Sequence, residues 1–162
     1  MIQIVFTEVP IPMSRPRLTR SGRTYTPTLQ KNYRDKFREQ VHDGKHTMIH
    51  GPVQMIIHFY FPHQKKHGTW KDSRPDIDNL AKMTMDCIAW VERGTKIKRG
   101  VLHDDSQVVQ LTATKQYCGK GERPRTVVLI RETEHDGWKE AERHKRKIKQ
   151  LRTELEELRR MK

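Results

Sequence analysis

The sequence predicts an α+β fold: one mixed β-sheet with helices packed on it, extended at the C-terminus by a charged helix. Three observations carry that reading. Hydrophobic patterning along residues 1–133 gives the order β-α-β-α-β-β. Val53–Phe61 is an uninterrupted strand-length run dense in Val, Ile, Phe and Tyr. From Trp138 onward there is neither Gly nor Pro, and Ile148, Leu151, Leu155 and Leu158 recur at spacings of three and four, a short heptad pattern.

Each element follows from local chemistry. Ile2–Glu8, short and rich in Ile, Val and Phe, reads as the first strand. Pro10, Pro12 and Pro16 then punctuate a loop running to Thr26, which carries Arg15, Arg17, Arg20 and Arg23 around Ser21-Gly22. Pro27 suits a first helical turn with Thr26 as N-cap, and Tyr33, Phe37 and Val41 at spacing four predict a helix over Thr28–His42. Gly44 and Gly51 bracket its exit. After the Val53–Phe61 strand, a polar loop contains Lys65, Lys66, His67, Gly68 and Lys71. Ile77, Leu80, Ala81, Thr84, Cys87, Ile88 and Val91 form a helical apolar stripe that begins just after Pro75. Trp90 near its end is expected in the core. Gly94–Gly100 is a basic connector with Lys96, Lys98 and Arg99. Gln107–Tyr117 and Thr126–Arg131 read as strands, and the two glycines of Cys118–Pro124 predict a hairpin loop between them.

The chain has 162 residues, one domain's length, and divides into a body at 1–133 and a helical extension at 134–162. Its net charge is +13 and its pI about 10.0. The extension holds 10 Lys/Arg against 7 Asp/Glu, so the body keeps +10 of that charge and must carry the main binding surface. Such a balance points to nucleic acid or an anionic membrane surface. No apolar run approaches membrane-spanning length and no basic segment leads a long apolar one, so a soluble, cytoplasmic protein without a membrane partner is expected. Cys87 and Cys118 have no CxxC context, which argues against a zinc ribbon and favours reduced thiols.

Against this basic background, carboxylates concentrate in two places. Arg74-Pro-Asp-Ile-Asp-Asn79 leads into the second helix, and Val101-Leu-His-Asp-Asp-Ser106 precedes the next strand. Asp76 falls at or just before the helix start, Asp78 in its first turn, and Lys82 one turn further on the same face. Ile77, Leu80, Ala81 and Thr84 take the opposite, buried face. If the strand after Asp104 and Asp105 lies beside the helix start, three or four carboxylates converge. Clustered carboxylates repel unless they share a cation, and hard ions such as Mg²⁺ take oxygen ligands. A metal in a basic surface is what phosphodiester cleavage requires. Taken singly, each acid has a plainer reading: Asp76 as an N-cap, Asp78 as a charge favourable to the helix dipole or one half of an exposed i,i+4 pair, Asp104-Asp105-Ser106 as a turn. His103 beside the acids reads more simply as a surface histidine than as a general base, because no local residue orients it.

The run Arg74-Pro-Asp-Ile-Asp-Asn-Leu-Ala-Lys82, then Met85-Asp86, then Leu102-His-Asp-Asp-Ser-Gln-Val108, resembles the RusA family of Holliday junction resolvases, whose pattern is D-x-D-N-x-x-K on a helix followed by D-D-x-Q-V at a strand start. Gly22-Arg23-Thr24 and Tyr33-Arg34-Asp35 are similar to the family's basic loop and the helix after it. The resemblance spans about residues 1–132 and stops short of the tail. It implies a RusA-like fold and an acidic triad of Asp76, Asp78 and Asp105, with Lys82 assisting catalysis and Asp104 as a helper ligand. It also implies a Mg²⁺-dependent enzyme (Mn²⁺ as the substitute) that acts as a homodimer, places paired symmetric nicks in four-way DNA junctions during recombination and repair, and works in the cytoplasm of a bacterial or phage-infected cell.

Arg15, Arg17, Arg20, Arg23, Lys31 and Arg74 are the expected phosphate contacts, which position a protein on DNA without reading sequence and make binding fall steeply with salt. Tyr25 could stack on an exposed base and Trp70 could wedge into a junction, although such aromatics more often pack against their own loops. The segment Asp136–Lys162 is read as a helix, serving as a dimer coiled coil, a DNA-contacting arm or a solvated helix. The rival to an enzyme is a basic, non-catalytic nucleic-acid-binding accessory of recombination that uses its aspartates only for caps and turns.

Overall fold

The computed structural model describes residues 1–14, 17–18, 21–44, 46–64, 69–89, 91–92, 98–133 and 147. The chain divides into two compact units, Met1–Glu132 and Thr133–Lys162, and the first is described below. In the second, Lys147 lies in a helix; the rest of the extension is outside the described residues, as are Arg15, Arg20, Trp90 and the side chain of Arg17.

The body is the expected α+β arrangement. Its strands are β1 (Ile2–Phe6), β2 (Arg17–Leu18), β3 (Thr24–Tyr25), β4 (Val53–Phe61), β5 (Val91–Glu92), β6 (Lys98–Arg99), β7 (Val108–Tyr117) and β8 (Arg125–Glu132), with helices α1 (Thr28–Asp43) and α2 (Ile77–Ile88). Four strands form one mixed sheet in the order β1-β8-β4-β7. β4 pairs parallel with β7 and antiparallel with β8, and β8 pairs antiparallel with β1.

Strict alternation makes β4 the spine of the sheet. Val53, Met55, Ile57, Phe59 and Phe61 are buried while the residues between them are not, as a half-covered strand requires. Thr126, Val128 and Ile130 of β8 and Ile4 and Phe6 of β1 continue the same inner face. Tyr33, Phe37 and Val41 of α1 pack on it. The Phe37 ring stacks on Phe6 with centroids 4.4 Å apart, and Tyr33 meets Phe6 edge-on at 5.1 Å. Phe37 is wholly buried, and a buried aromatic of this kind is worth about 3–5 kcal/mol against alanine. Burial also pushes the Tyr33 hydroxyl up to about 12.

Several expectations need correction. β7 and β8 are not a hairpin: β4 lies between them, so the segment 118–124 carries the chain past the central strand. A glycine-rich turn signal reports local bending, whereas pairing is decided by which strands bury matching faces. Within the loop after β1, Arg17–Leu18 and Thr24–Tyr25 pair antiparallel, with Gly22 at a φ of 75°, a conformation that favours glycine. Thr26 is not the cap of α1. The N-cap position is Pro27, whose carbonyl accepts the Gln30 and Lys31 amides at 3.0 and 3.1 Å. Both cysteines are free and buried, in keeping with reduced thiols. No described helix is long and apolar enough to cross a membrane.

Candidate active site

The site is built on α2 and on the segment that joins it to β7. α2 forms because Leu80, Ala81, Met83, Thr84, Cys87 and Ile88 present one apolar side to the core, where all six are buried. Ile77, expected on that side, is exposed. Lys82 on the opposite side faces solvent.

Three straps fix the start of this helix. The Met13 amide donates to the Asn79 carbonyl at 2.8 Å, while the neighbouring Pro12 carbonyl accepts Gln30 Nε2 of α1 at 2.7 Å. Lys115 of β7 donates its ammonium to the carbonyls of Ser73 and Pro75 at 2.8 and 2.7 Å. Asp76 occupies the N-cap position with an extended backbone, and its carbonyl accepts the Leu80 amide at 3.2 Å. Its side chain makes no capping bond, so the plainer reading of this acid is not what the structure shows. Asp76 instead borders an open cavity of about 560 Å³ with Pro12, Met13, Arg74, Pro75 and Asn79. Asp78 is exposed in the first turn.

The second acidic pair is held differently. Val101 and Leu102, both wholly buried, are anchored to the end of α2 by their amides donating to the Ile88 carbonyl at 2.9 and 3.3 Å. A short 3₁₀ turn follows, Asp105–Gln107. Asp104 caps it by accepting the Ser106 amide at 2.9 Å. The Gln107 carboxamide satisfies four backbone groups. Its oxygen accepts the His103 and Asp104 amides at 2.8 and 3.1 Å, and its nitrogen donates to the Ile49 and Gly51 carbonyls at 3.0 and 2.9 Å. Hydrogen bonds from Ser106 hold the Asp104 carboxyl below the usual range.

The two acidic segments meet through Lys82. Its ammonium donates to Asp105 Oδ2 at 2.6 Å and pairs with Asp86 Oδ1, one turn along the helix, at 2.9 Å. These two carboxylates, Asp105 first, push the lysine well above its ordinary range. Asp78, Lys82 and Asp86 thus form one row at i, i+4 spacing, with Asp105 joining at the lysine.

The expected convergence of three or four carboxylates is not seen among the described residues. Among the described residues, no group of three or more His, Cys, Asp or Glu is gathered to hold a metal. Asp105 reaches the helix a turn beyond Asp78 and meets the lysine there, because opposite charges attract where like charges repel. Asp104 acts first as a cap. In chemical kind the donors suit a hard cation, since all are carboxylate oxygens. Mg²⁺ takes one or two carboxylates and completes its shell with waters and substrate phosphates, so a closed protein cage is not what it demands.

Of the expected phosphate contacts, Arg23, Lys31 and Arg74 are exposed. Trp70 is 65% exposed, with its backbone bridged to Gln116. Tyr25 is also exposed. Asp86 and Gln107 entered the sequence reading only as members of the quoted runs, without a role, and Lys115 and the Arg38 guanidinium, which donates to the Asp86 carbonyl at 3.0 Å, had no part in it. The i, i+4 spacing of Lys82 and Asp86 was a usable signal; no local signal links Lys115 to a turn 40 residues away.

No curated protein matches the chain. A family model described as Endodeoxyribonuclease RusA matches residues 8–131, which take in α1, both acidic segments, Lys82, Gln107 and all but the last residue of β8. With most of its length matched, and with the D-x-D-N-x-x-K helix joined to the D-D turn through Lys82, the chain belongs to the RusA endodeoxyribonuclease family.

Proposed function

We propose that the chain is a divalent-cation-dependent endodeoxyribonuclease that resolves Holliday junctions and related branched DNA, nicking two strands symmetrically as a homodimer. The observation that carries this reading is the Lys82–Asp105 contact, which ties the D-D turn to the helix bearing Asp76 and Asp78 in a strongly basic chain of the endodeoxyribonuclease family. A binder gains nothing by placing carboxylates where phosphate must approach.

In this reading Asp76, Asp78 and Asp105, with Asp104 adjoining, would hold Mg²⁺, or Mn²⁺ in its place. The bound ion supplies activation of water and polarisation of the scissile phosphate. Asp76 brings to this a carboxylate not spent on its own helix, at the rim of an open cavity. Lys82 offers its ammonium as a compact cation to the charge that develops on the phosphate. Its contacts with Asp105 and Asp86 favour its charged form. Arg74, on the same cavity, and Arg23 and Lys31, with Arg15, Arg17 and Arg20, neutralise the approaching backbones. Homodimerisation follows from the substrate, since a four-way junction has two equivalent strands to cut and one chain supplies one such site.

The test is incubation of the purified chain with a synthetic four-way junction, with and without Mg²⁺, followed by mapping of the nicks. Paired nicks at symmetric positions that need the ion, and that Asp78→Asn abolishes while junction binding persists, are expected. Binding without cleavage would favour the accessory-protein reading, which the engagement of Asp105 by Lys82 and of Asp104 in a cap keeps in play.

A further inference from the structure

Asp86 is partly buried and paired with Lys82, yet the proposed function gives it no role. Its carbonyl is held by Arg38 of α1 at 3.0 Å, and its neighbours Met83 and Cys87 are locked in the core. The carboxylate is therefore fixed one turn beyond Lys82, with Oδ1 at 2.9 Å from Nζ. Lys82 is about half exposed and Asp86 about a quarter exposed. A long lysine side chain at such a site swings freely unless something anchors it.

An ammonium has three donors. Asp105 takes one and Asp86 another. The two carboxylates are not equivalent. Asp105 belongs to the acids proposed to hold the cation, so its bond to Lys82 weakens when a doubly charged ion competes for it. Asp86 lies further along the helix, away from Asp76 and Asp78.

We infer that Asp86 is the positioning residue for Lys82. It retains the ammonium on the reacting side of α2 when Asp105 is engaged elsewhere, leaving two donors for a phosphate oxygen. This rests on the function proposed above. It adds that the lysine's reach is set by a fifth aspartate that touches neither cation nor DNA.

The test compares wild type with Asp86→Asn and Asp86→Glu. Single-turnover cleavage of a synthetic four-way junction gives the rate. Junction affinity gives binding, and nitrogen-15 spectroscopy of the lysine ammonium groups gives the anchoring of Lys82 without reference to activity. Asp86→Asn should lower the cleavage rate about 10-fold, the order of one charge-assisted contact, with junction affinity within about two-fold of wild type, since no phosphate contact is lost. Its Lys82 ammonium should exchange protons with water faster. Asp86→Glu, which restores the charge, should recover most of the rate and the slow exchange. Wild-type cleavage in Asp86→Asn, or an unchanged Lys82 signal, would overturn the inference, as would an Asp86→Glu variant no better than Asp86→Asn. If wild type itself leaves junctions intact, the proposed function fails, and the ammonium signal decides the positioning of Lys82 by itself.

Discussion

Two acidic pairs of similar composition are held in opposite ways. At the 3₁₀ turn, Asp104 accepts the Ser106 amide and Asp105 accepts the Lys82 ammonium, while Gln107 binds the turn to residues 49 and 51. At the start of α2, Asp76 sits at the cap position without capping, and Asp78 stands exposed in the first turn. The helix start is held instead by Asn79, Pro75 and Ser73 through backbone carbonyls. The contrast separates carboxylates that build local structure, Asp104 foremost, from carboxylates left open at the helix start, with Asp105 joined to the helix through Lys82. A capping aspartate stabilises its helix by about 1 kcal/mol, so an aspartate at that position which forgoes the bond has given up stability. Functional positions often trade stability in this way, which accords with the role proposed for Asp76.

The comparison breaks most readily at its functional end. Asp76→Asn and Asp78→Asn each change one oxygen for nitrogen, and each should lower junction cleavage about 10³-fold, equivalent to several kcal/mol of lost charge stabilisation. The unfolding temperature should barely move, because neither side chain caps the helix. A large loss of stability in Asp76→Asn would place it with the builders instead. The measurements are cleavage rate and thermal unfolding on the same preparations.

The buried side of α2 responds to alkaline pH through Cys87. Burial pushes the Cys87 thiol from 9.0 up to about 12. Below pH 9 both folded and unfolded chains keep this proton, so its stabilising contribution is complete. As pH rises from 9 to 12 the unfolded chain releases the proton first, and stability is lost, on the order of 4 kcal/mol if the whole shift is expressed. Denaturant unfolding of wild type and Cys87→Ala between pH 8 and 11 should show the alkaline decline shallower in the variant.

Gln107 sharpens the comparison from the builders' side. Gln107→Leu removes the partner of two amides and two carbonyls at once and should cost about 2–3 kcal/mol, given that such groups lose their hydrogen bonds in a partly buried place. Loosening of the turn that carries Asp105 should slow cleavage about 10-fold or more, since displaced catalytic groups are penalised steeply. Gln107→Glu, which keeps the acceptor but not the donor, should fall between. Stability and cleavage moving together in this series would support a turn that positions; cleavage intact in Gln107→Leu would detach Asp105 from the site. The smallest effect belongs to Asp104. Asp104→Ala should reduce stability by about 1 kcal/mol through the lost cap, while Asp104→Asn, which still accepts the Ser106 amide, should leave stability nearly unchanged and cleavage within a few-fold. A loss as large as that of Asp78→Asn would promote Asp104 from cap to ligand.

Much of this was legible in the sequence. The alternation of Val53–Phe61 and the 4-residue recurrence of Tyr33, Phe37 and Val41 are periodic signals, and the strand and helix formed where those signals lie. The D-x-D-N-x-x-K spacing placed Asp78 and Lys82 on one face of α2, as the structure has them. What could not be read was anything decided between distant segments. The flanking of β4 by β7 and β8 depends on matched faces, not on the glycines of 118–124. The grip of Lys115 on Ser73 and Pro75, and the choice of Asp105 to meet Lys82 rather than its fellow acids, depend on pairing across the fold. Asp76 falls at the start of α2 as expected, but that its side chain makes no capping bond could not be read from residue preferences, which describe the average N-cap.

The parallel pairing of β4 with β7 has a consequence for when the chain becomes competent. Everything between those two neighbours, residues 62–107, is a single crossover, and both acidic segments ride on it. They face each other only after β7 has closed onto the rim of the sheet. A nascent chain halted before Tyr117 would contain Asp76, Asp78, Asp86, Asp104 and Asp105 without the β4–β7 pairing that sets the crossover in place, so any activity of the proposed centre waits for the strand that the crossover serves.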